Sequence, residues 1–417
     1  MTNQKAGHRQ VPADLDFDHW HDRKHTQSIK WEFQVRDGHI HQWDRTDASH
    51  GEDRVLPMWV ADMDFQVAKP IQDAVLDRAA HGLYGYAYRS EDYLASVASW
   101  MSRRQGWHTE TDWIVPTPGV VPAIHLMVRR FTERGDKILI QRPVYHPFTY
   151  AAENNDRVPV SNSLVLSAGR YQMDFDDLRE KTADPAVKLA VLCSPHNPVG
   201  RVWSAEELQR FAEICTENEV LIVADEIHSD LIMPGFEFAA FGNLDDELLQ
   251  NAIICTAPSK SFNLAGLQSS NLIIRNESLR EDMQAELRAC GLFTLNPFGL
   301  VATQAAYDKS EYWLEKAIHY INANLDLLDE YVAANLPGVS VIRPEGTYLA
   351  WVDCRALGLS TEALGALMMD DAKVYLDEGH VFGSEGEGFM RFNVACPRSL
   401  LETALERIRA AVTKLTV

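Results

Sequence analysis

From Pro116 onward, short apolar runs alternate along this chain with segments of helical periodicity. Asp136–Gln141 (DKILIQ), Leu189–Cys193 (LAVLC), Val220–Ala224 (VLIVA), Ala252–Thr256 (AIICT) and Asn271–Ile274 (NLII) read as strands. Strands separated by helix-length segments predict an α/β fold, in which a largely parallel sheet is covered by helices. The segments after Val120, after Ser204 and after Asn263 carry the helical patterns. Ser204, followed by Glu206 and Glu207, is a helix start: the hydroxyl can cap the first amides, and the acids complement the positive end of the helix dipole.

After about Pro297 the pattern changes to long amphipathic helices, then short strands and a final helix, which predicts a second, smaller domain joined by a long helix. The expected division is residues 1–55 as an N-terminal arm and part of the small domain, 56–297 as the large domain, and 298–417 as the small C-terminal domain. At 417 residues the chain exceeds the usual size of one domain. The first 54 residues are the most polar and carry seven histidines: His8, His19, His21, His25, His39, His41 and His50. Their spacing is irregular, which predicts a solvated arm rather than a metal site.

Composition removes several function classes. Apolar residues make up 46% and charged residues 24%, ordinary for a globular protein, and no apolar run approaches the length of a membrane span. The formal charge of −21 opposes binding to nucleic acid or to an anionic membrane, while leaving room for a small anion in a local pocket. The polar N-terminus has no apolar signal-peptide core, so a cytoplasmic location is expected. Six cysteines (193, 215, 255, 290, 354 and 396) show neither a CxxC pair nor metal-ligand spacing, which fits reduced buried thiols.

In open α/β sheets ligands collect at the carboxyl ends of strands, so polar residues just after apolar runs are the candidates for chemistry. Four places qualify: Asn197 in SPHNPVG, Asp225 in VADEIHSD, Lys260 in TAPSKSFNLAG, and the Pro118-Gly119-Val120-Val121 turn that opens a helix. Alone, an aspartate after a strand is a turn residue and a lysine is solvated. Together, at intervals of 28 and 35 residues, they fit successive strand–helix units of one sheet. A lysine, an aspartate and a phosphate-binding helix start are what pyridoxal 5'-phosphate (PLP) requires: a Schiff-base anchor, a partner for the ring nitrogen and a seat for phosphate. A metal cluster of Asp225, Glu226, His228 and Asp230 is disfavoured, because strand alternation would set Asp225 on the face opposite the other three.

These segments resemble the fold-type I, aspartate aminotransferase-like PLP enzymes of the class I/II aminotransferase superfamily. Within it the chain is similar to the MalY/PatB branch of cystathionine β-lyases and cysteine-conjugate carbon–sulfur lyases. The likeness runs from Trp31 to the last helix through MWVADMDF at Met58, GLYGY at Gly82, TPGVVPAI at Thr117, RPVYHPF at Arg142, SPHNPVGRVW at Ser194, DEIHSDL at Asp225, APSKSFNLAGLQ at Ala257 and MRFNVACPR at Met390. It implies a mostly parallel seven-stranded sheet sandwiched by helices, plus a smaller α/β domain.

By the same resemblance, Lys260 would bind the cofactor and remove the substrate's α-proton, and Asp225 would pair with the ring nitrogen. Asn197 and His228 would stand at the ring's phenolic oxygen, and Tyr145 would stack on the ring. The amides of Val120 and Val121 with the Ser259 hydroxyl would hold the phosphate, joined by Tyr86 from the neighbouring subunit of a homodimer. Arg391 would grip the α-carboxylate of an amino-acid substrate, beside Tyr145 and Asn197. Two positions depart from aspartate aminotransferase: Gln268 stands where an arginine follows the lysine by eight residues, and Ala257 where a serine precedes it by three. The resemblance points to β-elimination of L-cystathionine or other S-substituted cysteines, to a thiol such as homocysteine, pyruvate and ammonia. An aminotransferase for aromatic amino acids or histidinol phosphate, and a regulator using the same fold, are the alternatives.

Overall fold

The computed structural model describes residues 15–36, 39–43 and 54–415. Its centre is a seven-stranded sheet. The spatial order of the strands is Ile114–Thr117, Ser270–Ile273, Ala252–Thr256, Leu221–Asp225, Val187–Cys193, Lys137–Ile140 and Val158–Ser161. Ser270–Ile273 runs antiparallel to both of its neighbours, and the strands from Ala252–Thr256 to Val158–Ser161 pair in parallel. The five apolar runs of the sequence are all strands of this sheet, with ends shifted by at most two residues. They read as continuous apolar runs because helices cover both faces: Ile222 and Ala224 enter one core and Leu221 and Val223 the other.

The helices predicted after Val120 and Ser204 are present as Val120–Phe131 and Ala205–Glu217. Ser204 forms a reciprocal capping box with Glu207: its hydroxyl accepts from the Glu207 amide at 3.2 Å, and the Glu207 carboxylate accepts from the Ser204 amide at 2.9 Å. The helix expected after Asn263 does not form. Asn263 and Gln268 both adopt left-handed backbone conformations (φ 58° and 48°), and only a single 3-10 turn, Ala265–Leu267, lies between them. Asparagine tolerates that region, and here its amide is also drawn off to distant backbone.

Beyond Pro297, helix Pro297–Lys309 packs on Lys69–Ala80 and Glu91–Gln105, and the 25-residue helix Glu311–Asn335 follows. A four-stranded antiparallel sheet comes next, in the order Ser340–Ile342, Leu349–Asp353, Phe389–Asn393 and Asp377–Glu378. The last helix is Arg398–Lys414. Leu56–Pro57 pairs in parallel with Val374–Tyr375, so the chain entering the central fold is held by the C-terminal region. No helix among the described residues is long and apolar enough to cross a membrane.

The polar N-terminal segment is not simply a solvated arm. His8 and His50 lie outside the described residues, and His19, His25, His39 and His41 are exposed, but the intervening chain docks. Lys30 is 1% exposed and pairs with Asp64 at 2.6 Å; Arg23 bonds Asp62 and Asp64 at 3.1 and 3.0 Å; the Trp31 indole donates to Asp64 at 2.7 Å. Two neighbouring carboxylates in a largely buried segment need cations, and this segment brings them. Replacing Lys30 with methionine removes one of the cations and should destabilise the protein by about 3 kcal/mol, seen as a lower urea midpoint. An unchanged midpoint would mean that Arg23 alone neutralises the carboxylates.

Candidate active site

At the edge of the sheet where the parallel strands end lies a cavity of about 210 Å³. Val120, Val121, Tyr145, Asn197, Asp225, His228, Ser259 and Lys260 all line it. The strands ending at Thr117, Ile140, Cys193, Asp225 and Thr256 deliver them from five separate stretches of sequence. Gly119 is the N-cap of helix Val120–Phe131 and offers no side chain to the first amides, and Pro122 follows in the first turn. An uncapped helix start is suited to an anion.

Lys260 sits in the short helix Pro258–Ser261, and its Nζ donates to the Ala61 carbonyl at 2.7 Å. Burial pulls its pKa down to about 8, with Arg391 pushing the same way and Asp62 and Asp225 opposing. Asp225 is the last residue of its strand. Burial raises its carboxyl to about 7, against the Ile227 amide, which donates to it at 3.1 Å, and Lys260. Burial also holds His228 well below its usual value, with Lys260 and Arg391 adding to the effect, so its ring is neutral. Burial pushes the Tyr145 phenol up to about 12.

Arg391, in the strand Phe389–Asn393, is buried next to this cavity and not on its wall. Its Nη1 donates to Asn197 Oδ1 at 3.1 Å, its Nη2 donates to the Trp59 carbonyl at 2.7 Å, and it pairs closely with Asp377. Tyr86 is elsewhere: it is 96% exposed and does not line the cavity, and Leu83, Tyr84 and Phe293 are exposed as well.

The strand alternation expected for Asp225 to Asp230 does not apply, because the strand ends at Asp225 and a turn follows. Glu226 accepts from the Phe241 amide at 2.7 Å, His228 lines the cavity, and Asp230 accepts from Ser261, Gln105 and Trp100. The three side chains are separated by the turn itself.

Sequence reasoning missed several residues that shape the site. Tyr348 donates to the Ala61 carbonyl at 2.9 Å, beside Lys260. Asn393, two residues after Arg391 and so on the same strand face, donates to the carbonyls of Val60 and Asp62, both at 2.6 Å; the period of two was a signal for it. Asn263 donates to the carbonyls of Met63 and Phe65 at 2.9 and 3.0 Å. Asp377 gave no local signal at all.

The chain matches the aminotransferase class I and II family over residues 61–408. It belongs to that family. It is 41% identical to the cystathionine beta-lyase PatB of Bacillus subtilis (strain 168) over 399 residues, covering 96% of this chain and all of PatB. Among solved structures, cystalysin from Treponema denticola, which contains PLP, matches with a TM-score of 0.91 at 36% identity, over 96% of this chain and 100% of cystalysin. The PLP-bound C-S lyase of Staphylococcus hominis in complex with L-cycloserine matches with a TM-score of 0.86 at 33% identity, over 96% and 98%. The fold is that of the fold-type I PLP enzymes.

The residues of this chain fit that cofactor. A lysine with a depressed pKa shares one cavity with a buried carboxyl and an uncapped helix start. The Nδ1 of buried His228 has no partner among the described residues, an uncommon condition for a buried polar atom outside a binding site. Because only the unprotonated amine attacks an aldehyde, the apoprotein should capture PLP faster as the pH rises, with a midpoint near 8, Lys260's lowered value. The visible absorbance of lysine-bound PLP reports the rate; a midpoint near that of an ordinary lysine would contradict the burial effect.

Proposed function

We propose that this protein is a PLP-dependent carbon–sulfur β-lyase that cleaves L-cystathionine or other S-substituted L-cysteines to a thiol, pyruvate and ammonia. The observation that carries the reading is the meeting of Lys260, Asp225, Asn197, His228 and Tyr145 at one cavity, in a chain 41% identical to a cystathionine beta-lyase along almost its whole length. When bound, PLP supplies an electron sink for bonds at the substrate's α-carbon.

The side chains have separate tasks. Asp225 would hold the ring nitrogen, Asn197 and His228 the phenolic oxygen, and Tyr145 the ring face. Val120 and Val121 amides with the Ser259 hydroxyl would seat the phosphate. With Gln268 and Ala257 in place of arginine and serine, that seat relies on backbone dipoles and neutral donors; Gln268, Ser269 and Ser270 line the same cavity. Arg391 would orient the substrate by its α-carboxylate. Lys260, with its pKa lowered to about 8, is partly free amine at neutral pH and suited to take the α-proton. It can then give a proton to the sulfur that leaves.

The reading includes a homodimer, in which Tyr86 of one subunit joins the phosphate seat of the other. Exposed Leu83, Tyr84, Tyr86 and Tyr88 support it, with exposed Phe293 two residues from Leu295, which bridges to Ala87, since such a patch asks for a cover. It also includes the division at residues 56–297 and 298–417 and a cytoplasmic setting, which suits six free cysteines, five of them buried.

Incubating the PLP-loaded protein with L-cystathionine and no keto acid should release pyruvate, ammonia and thiol in equal amounts over many turnovers, and Lys260→Ala should abolish the release. One turnover ending in pyridoxamine phosphate would make the protein an aminotransferase instead. Light scattering should give the mass of a dimer; a monomer with full activity would remove Tyr86 from the site.

A further inference from the structure

The guanidinium of Arg391 has five N–H donors, and three are engaged within the protein. Nη1 gives one to Asn197 Oδ1; Nη2 gives one to the Trp59 carbonyl and the other to the Asp377 carboxylate. Nε has no partner. A carboxylate is gripped by two parallel N–H groups, drawn from either Nη1 and Nη2 or Nε and Nη2. Both forks need Nη2, and both of its hydrogens are taken.

Of the two groups on Nη2, only one can leave. The Trp59 carbonyl is backbone in a segment fixed by Asn393 at Val60 and Asp62. Asp377 is a side chain on the two-residue edge strand Asp377–Glu378, directly across from Arg391 in the register, and its side chain is 16% exposed. Phe382 covers the guanidinium from a ring centroid 4.9 Å away, so Arg391 itself is held while Asp377 has a route to water.

We propose that Asp377 is an internal counter-anion that occupies the carboxylate fork of Arg391 in the substrate-free enzyme and must be displaced by the substrate's own carboxylate. The inference rests on the reading of Arg391 as the carboxylate grip. Asp377 keeps a buried cation paired when no substrate is present, at the cost of substrate affinity. It also makes the fork selective: a ligand without a negative charge has nothing with which to displace it. Asp377 is thus a positioning residue and touches no reacting atom.

The test uses the PLP-loaded protein and two ligands that differ by a carboxylate, L-alanine and ethylamine, titrated against the visible band of the bound cofactor. Asp377→Asn and Asp377→Ser should each tighten L-alanine by about tenfold and leave ethylamine unchanged. Asp377→Glu, which restores the charge, should stay near wild type. The KM for L-cystathionine should fall in the Asn and Ser variants with little change in kcat, as expected for uniform binding. Weaker or unchanged L-alanine binding in both neutral variants, with Arg391→Lys still weakening it, would overturn the proposal and leave the Arg391 reading intact. If Arg391→Lys leaves L-alanine binding unchanged, the reading of Arg391 falls and the proposal with it.

Discussion

Residues 58–65 cross the interior as irregular backbone, and buried carbonyls without a strand or helix partner must find donors elsewhere. Nearly every one is met by a side chain from a remote part of the chain. Trp59 receives Arg391, Val60 receives Asn393, Ala61 receives both Lys260 and Tyr348, Asp62 receives Asn393, and Met63 and Phe65 receive Asn263. The segment is therefore a hub that ties the short lysine-bearing helix between two strands of the central sheet to the arginine-bearing strand of the second sheet. Its two carboxylates, Asp62 and Asp64, draw in Lys30 and Arg23 from the N-terminal segment. One demand, that buried polar backbone be satisfied, positions three regions at once.

Burial is also what tunes the site. The same loss of solvent that lifts Asp225 to about 7 lowers Lys260 to about 8 and keeps His228 neutral. The acid and the amine approach one another in proton affinity without forming a direct hydrogen bond, since Lys260 is held by the Ala61 carbonyl and Asp225 by the Ile227 amide. Arg391 belongs to a different class: its charge is balanced by contacts to Asp377 and to two neutral oxygens.

Much of the fold was legible in the chain itself. Apolar runs such as Val220–Ala224 are strands because period and composition are local properties, and the Ser204 cap needs only residues three positions apart. The region after Asn263 misled because its helical periodicity competed with two left-handed residues, and Asn263 takes that shape while its amide serves a segment 200 positions away. The polarity of the first residues suggested solvent for a similar reason: nothing near Lys30 announces that Asp64 waits for it.

By itself the sequence determined that Asn197, Asp225 and Lys260 would stand at the ends of neighbouring strands, because strand–helix spacing and the parallel sheet leave them on one edge. The tertiary structure alone decided how Arg391 is held, by Trp59, Asn197 and Asp377, and that Tyr86 faces outward. Local periodicity is written between near neighbours in the chain. Hydrogen-bond partners 194 and 332 positions apart are fixed only when two sheets close on the segment between them.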